Sequence, residues 1–112
     1  MKTVYNIEIS NKMFYNRVGG LVNQFFKILP IKENGEASLQ KYMVSLQREM
    51  LGLQSLIVAL YDDQQYLSLL SILQYLIEHE CDTATVRSEV FKAINILKRL
   101  QRKLEDKPEV VS

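Results

Sequence analysis

The sole histidine of this chain sits in the run His79-Glu80-Cys81-Asp82, which gathers an imidazole, a thiol and two carboxylates. Each of these groups can ligate a transition metal. A zinc site, however, takes three or four convergent ligands, commonly as spaced pairs from separate elements, whereas neighbours at a helix end point apart. A Cys–His nucleophile pair meets the same obstacle. His79 and Cys81 lie two apart, and helical residues at that spacing do not face one another. The run reads as a solvated helix terminus.

Carboxylates also pair at Asp62-Asp63 and at Glu78 and Glu80. The first pair is explained as caps and dipole partners for a following helix. The second stands at a helix C-terminus, where the dipole mildly repels it, and would suit either a solvated face or an acidic contact patch. A carboxylate-bridged di-iron bundle needs a Glu-x-x-His pair from each of two helices, which one histidine cannot supply. No catalytic residue, metal or cofactor is expected, and the chain is predicted not to be an enzyme.

Two further groups of residues bear on binding. Lys92, Arg99, Arg102 and Lys103 fall opposite the apolar stripe of a predicted last helix, with Arg87 and Lys98 at the margins and Asn95 among them. They form either a solvated face that suits the helix dipole or a contact for nucleic-acid phosphates. A helix-turn-helix turn and an aromatic stacking platform are missing from the pattern, so nucleic acid is the disfavoured alternative. Phe91 lies off the apolar stripe beside this basic face. It is expected either to cover the first helix or the N-terminal arm, or to stand as an exposed aromatic anchor.

The other group is a second apolar seam. From Ser38 to Tyr61 a helix is predicted whose main face carries Leu39, Tyr42, Met43, Leu46, Met50, Leu53, Leu56, Ile57 and Leu60. Val44, Leu51 and Val58 fall well off that face at 3.6 residues per turn, and Gln47 and Gln54 alternate with them. In a bundle such a seam is either internal, against a second neighbour, or it meets a second copy or another protein. Glutamines at alternate positions suit a partly polar contact.

The elements that position these residues follow from hydrophobic periodicity and breaks. Val4, Ile7 and Ile9 alternate loosely and predict a short extended arm packed on the helices. A first helix, capped by Ser10 or Asn11, carries Met13, Phe14, Val18, Leu21, Val22, Phe25, Phe26, Ile28 and Leu29 and should end at Pro30. Gly19 and Gly20 inside it imply a close neighbour or a kink. After the turn at Asn34-Gly35 and the two-faced second helix, a third runs from Asp63 to Glu80, apolar over more than half its girth and expected to be the most buried. A fourth runs from Ala84 to Glu105 with a stripe of Val86, Val90, Ala93, Ile94, Leu97, Leu100 and Leu104, and Pro108 stops it.

With 112 residues, 47% apolar and 24% charged, the chain has room for one domain with a real core. The domain is expected over 1–107, with a loose tail at 108–112. Fourteen basic against thirteen acidic residues leave +1, which gives no global field for polyanions or anionic membranes. Cys81 alone excludes an intramolecular disulfide, and no basic-then-apolar leader or long apolar run appears, so a cytoplasmic protein away from membranes is expected.

The pattern as a whole predicts an all-α fold, an antiparallel up-down four-helix bundle with a short N-terminal extended arm. The expected function is a non-enzymatic protein–protein interaction module, an adaptor, inhibitor or accessory subunit. It would bind a protein partner or a second copy of itself, as a homodimer, through Val44, Gln47, Leu51, Gln54 and Val58, with Phe91 second. The alternative is a nucleic-acid accessory protein using Lys92, Arg99, Arg102 and Lys103. A third reading is a small-ligand pocket between helices, lined by methionines and tyrosines.

Overall fold

The computed structural model describes residues 2–35 and 37–106, for the last three the backbone alone, and it is all-α. Helices α1 (Asn11–Phe26), α2 (Ile28–Glu33), α3 (Leu39–Leu56), α4 (Gln64–Glu78) and α5 (Thr83–Asp106) follow one another, with a single 3-10 turn at Val58–Leu60. The expected tail at 108–112, the Pro108 stop and the Leu104 side chain lie outside the described residues.

Capping chemistry sets most of the helix starts. The Ser10 hydroxyl accepts the Met13 N–H, and the Asp63 carboxylate accepts the Tyr66 N–H at 2.9 Å. Asp82 is hydrogen-bonded by the Thr85 side chain and accepts the Thr85 N–H at 2.8 Å, and these two hydrogen bonds, the side-chain one foremost, hold its carboxyl below its ordinary value. Asp82 therefore supports the start of α5 above that value and ceases to do so as pH falls through its lowered pKa.

Two boundaries depart from the pattern. The first helix breaks at Lys27, and Pro30 does not end it. Pro30 is the third residue of α2, within a first turn whose N–H groups have no intrahelical acceptor to lose. Gly35, at φ +64°, closes α2 and donates its N–H to the Lys32 carbonyl at 3.0 Å.

The second helix stops at Leu56 rather than Tyr61, because Ile57 turns extended (φ −96°, ψ 115°) and bridges Thr3. Val4 donates to the Leu56 carbonyl at 2.8 Å, and Val58 donates to the Lys2 carbonyl at 3.0 Å. The arm also folds on itself, with a Lys2–Glu8 bridge and Asn6 in the left-handed region. It finds in α3's end the extended partner that the sequence pattern did not display.

The core is one cluster. Phe14, Val18, Leu21 and Phe25 of α1 pack with Val90, Ile94 and Leu97 of α5, and α4 adds Tyr66, Leu69, Leu73 and Leu76. Met43, Leu46 and Met50 close it from α3. Helix α1 runs along α5, α4 packs on both α5 and α3, and α2 wedges against α5 and α3. Gly19 marks a close approach: a Cβ there would meet the Gln101 side-chain nitrogen at 3.2 Å, and that same amide donates to the Tyr15 carbonyl. Helix α1 meets α3 through long side chains, with Arg17 paired to Glu49, Gln24 donating to Glu49 and the Tyr42 hydroxyl donating to the Gln24 carbonyl.

Tyr66 ties α4 to α3 from inside, its hydroxyl donating to the Met50 carbonyl at 2.5 Å with the ring wholly buried. Burial pushes this phenol far above its ordinary value, and the nearby Arg17 charge offsets that only in part. A raised folded-state pKa means that the stabilisation is whole below the ordinary phenol value of about 10 and is lost as pH rises beyond it. Tyr66→Phe should cost about 1 kcal/mol at neutral pH and flatten the loss of stability above pH ~10, read from denaturant melts at both pH values.

Candidate protein-interaction surface

Helices α3 and α4 do not close over one another on their outer side. Between them lies an open cleft of about 530 Å³ lined by Gln47 and Leu51 of α3 and by Leu67, Leu70, Ser71, Gln74 and Tyr75 of α4, with Glu78 and His79 at one end. Leu51 is 45% exposed, Tyr75 43% and Leu67 36%, so the walls present large apolar groups to solvent.

The five seam residues divide. Gln47 is half-buried and donates to Gln74, which in turn donates to the Glu78 carboxylate at 2.6 Å. This polar chain crosses the cleft and fixes the two helices at their outer edge. Leu51 stands in the cleft wall, and Val44 is half-buried about two turns away on the same helix. Gln54 donates to the Tyr61 carbonyl at 3.1 Å, so it trims the end of α3. Val58 is exposed but sits in the 3-10 turn beyond the extended Ile57, so the seven-residue repeat that linked it to Leu51 does not continue as one helix face. The seam is thus shorter than the sequence spacing implied and is shared with α4.

Helix α4 supplies what the sequence reading missed. It does touch two neighbours, as its broad apolar girth implies, yet it keeps one face open. Gln64, Leu67, Ser68, Ser71, Tyr75 and Glu78 are all exposed along that face. The signal was present in the sequence. No charged residue occurs between Asp63 and Glu78, although an exposed helix face ordinarily carries several.

Phe91 covers the first helix. Its ring meets that of Phe26 edge to face, centroids 6.1 Å apart and planes at 82°, and both rings remain partly exposed. Lys92, Arg99, Arg102 and Lys103 all lie on the exposed side of α5, together with Asn95 and Lys98. Lys92 pairs with Glu89 at 3.0 Å and Lys103 reaches the Gln65 side chain at 3.4 Å. Arg87, at the margin, is drawn aside to Glu33.

The His79–Asp82 run is spread out by its backbone. His79 stacks on Tyr75 with ring centroids 4.4 Å apart, Cys81 points its thiol at the His79 carbonyl, and Asp82 is the α5 cap. Among the described residues no group of three His, Cys, Asp or Glu side chains is placed to hold a metal ion. No described helix is long and apolar enough to cross a membrane. A second cleft, of about 610 Å³, lies where the start of α3 meets the end of α4. Its walls mix Leu39, Met43 and Val86 with Lys32, Gln40 and Glu80, and it contains no tyrosine, unlike the apolar pocket expected between helices.

Comparison with known proteins adds no relative: no family model, no curated protein and no solved structure matches this chain. The surface is interpreted from its own chemistry.

A double-mutant cycle at Phe26 and Phe91 should give a coupling of about 0.5–1.5 kcal/mol, the worth of an edge-to-face aromatic pair. A coupling near zero would assign Phe91 to a surface role independent of α1.

Proposed function

We propose that this protein is a non-enzymatic protein-interaction module that binds through the apolar face formed by α3 and α4. The observation that carries this reading is the open cleft walled by Leu51 of α3 and by Leu67 and Tyr75 of α4, a helix with no charge from Gln64 to Ile77. Depletion of charge around exposed leucine and tyrosine side chains is the compositional mark of an interface core. An antiparallel up-down order of α1, α3, α4 and α5 belongs to the same reading. Cross-helix pairs favour it, since Gln40 meets Ile77 while Met50 meets Tyr66, and Phe26 meets Phe91 while Tyr15 meets Gln101. The lone free thiol of Cys81 suits a reducing, cytoplasmic setting.

Leu51→Glu is the test. Its side chain is exposed, so helical content and thermal stability should stay near those of the parent, while association measured by light scattering and by retention of cellular proteins should fall at least tenfold. Unchanged association in a folded Leu51→Glu protein would eliminate the cleft as the docking site.

A second reading rests on α5. Lys98, Arg99 and Arg102 have no acidic partner among the described residues, and together with Lys92 and Lys103 they line one exposed face. Such a row could neutralise nucleic-acid phosphates. If it does, affinity for duplex DNA or RNA should fall with salt at a log–log slope of about −3 to −4, and Arg99→Ala should reduce that slope by about 1. No retention at low salt would remove this reading.

A further inference from the structure

We propose that the outer side of the α1–α5 seam binds single-stranded nucleic acid, with bases against the Phe26–Phe91 pair and phosphates on Lys98 and Arg102. This rests on the α5 reading above and specifies its polymer. Two stripes flank the seam. On α5, Phe91, Asn95, Lys98 and Arg102 follow one another at spacings of four, three and four, and all are exposed. On α1, Phe26, Asn23 and Asn16 are exposed along the edge beside α5, with Gly19 half-buried between the asparagines. Phe26 meets Phe91, while Tyr15 and Gly19 meet Gln101, so the stripes lie side by side. The rings stand at one end, the cations at the other, and Asn23 and Asn95 between them.

The seam carries one sign of charge. No aspartate or glutamate occurs between Glu8 and Glu33, a stretch that includes all of α1, nor between Glu89 and Glu105 on α5. Glu33 and Glu89, which flank the seam, are taken up by Arg87 and Lys92. The net charge of +1 therefore conceals a local positive field, which suits a polyanion.

The rings decide between a single strand and a duplex. In an edge-to-face pair neither ring stacks on the other, and Phe26 and Phe91 are 38% and 43% exposed. An unpaired base can lay its own face on such a ring, whereas a duplex keeps its bases stacked inside. Asn23 and Asn95, beside the rings, can bond base edges, which favours nucleic acid over an anionic bilayer of the same charge. Phe91 to Arg102 spans ~16 Å along the helix, room for a few nucleotides. The stacking platform missing from the sequence pattern is thus supplied by two helices together.

The test is fluorescence anisotropy at low salt with a labelled oligothymidylate of about 15 nucleotides and with its duplex with oligoadenylate. The single strand should bind roughly tenfold more tightly than the duplex or better. Phe91→Leu, which keeps an apolar cover over α1, should weaken single-strand binding by about fivefold or more without changing its salt dependence. Phe91→Tyr should retain binding. Replacing Lys98 and Arg102 together by alanine should instead lower the log–log salt slope by about 1.4. Circular dichroism of each variant verifies that the fold is kept.

Equal binding of strand and duplex, with Phe91→Leu inert, would overturn the single-strand proposal and leave the α5 phosphate row standing. Binding of neither would remove both. Displacement of the strand by polyglutamate at equal charge would overturn nucleic acid in favour of an acidic protein. Tighter binding to phosphatidylserine vesicles than to the strand would overturn it in favour of a bilayer.

Discussion

The apolar stripe of α5 is the surface on which the rest of the molecule is assembled. Val86, Val90, Ala93, Ile94, Leu97 and Leu100 are buried along its length, and α1, α2 and α4 all pack against it. Large-to-small changes at such positions cost about 2–5 kcal/mol, a large fraction of the stability of a domain this size. The stripe also dictates what lies behind it. With most of its apolar side consumed by three neighbours, the helix turns mainly polar groups to solvent, Phe91 apart, and among them are six cations, Arg87, Lys92, Lys98, Arg99, Arg102 and Lys103. Helix α3 is the exception to this arrangement. It is held by α4, by the Arg17–Glu49–Gln24 side-chain bridge to α1, and by the arm at its end.

That difference accounts for the exposed apolar groups of α3 and α4, which stand beside others on the arm (Val4, Tyr5, Ile7), on α1 (Met13, Phe26), around the 3-10 turn (Val58, Tyr61) and on α5 (Phe91). Helix α4 must satisfy α5 on one side through Leu69 and Leu73 and α3 on another, where Tyr66 reaches the Met50 carbonyl. Its apolar residues extend past both contacts, to Leu67 and Tyr75. On α3 the same excess appears as Leu51. The polar link from Gln47 through Gln74 to Glu78 then holds the rim of the cleft in place, so the apolar walls are set on two rigid elements.

Much of this was legible in the sequence. The stripe of α5 and the Asp63 cap follow directly from 3.6-residue periodicity and capping chemistry. The angular position of Phe91 sets it off that stripe but leaves open whether it covers the first helix, the arm or nothing; its contact with Phe26 is visible only in the fold. The breaks were harder to read. Ile57 carries the apolar signal of a helix that would continue, and its extended conformation depends on an arm more than fifty residues away, which periodicity cannot register. Pro30 reads as a stop, yet it is tolerated inside a helix when a fresh first turn begins just before it. The cleft was half visible: the α3 seam showed in the spacing, but its counterpart on α4 was hidden because a broadly apolar helix looks buried until its neighbours are known. The missing charge between Asp63 and Glu78 was the available clue.

The pairing of α1 with α5 has a consequence for how the chain comes to be folded. The partners that Gly19 and Phe26 require, Gln101 and Phe91, lie some 65 to 80 residues further on, while the arm finds Ile57 and α3 finds α4 much sooner. Translation proceeds from the N-terminus at several residues per second, so α1 emerges early and waits seconds for the helix that will cover Phe14, Val18 and Leu21. During that interval the arm, α3 and α4 can form their contacts without it. The first helix made is in this sense among the last to be sheltered, and its apolar face is the part of the nascent chain most in need of protection from neighbouring chains.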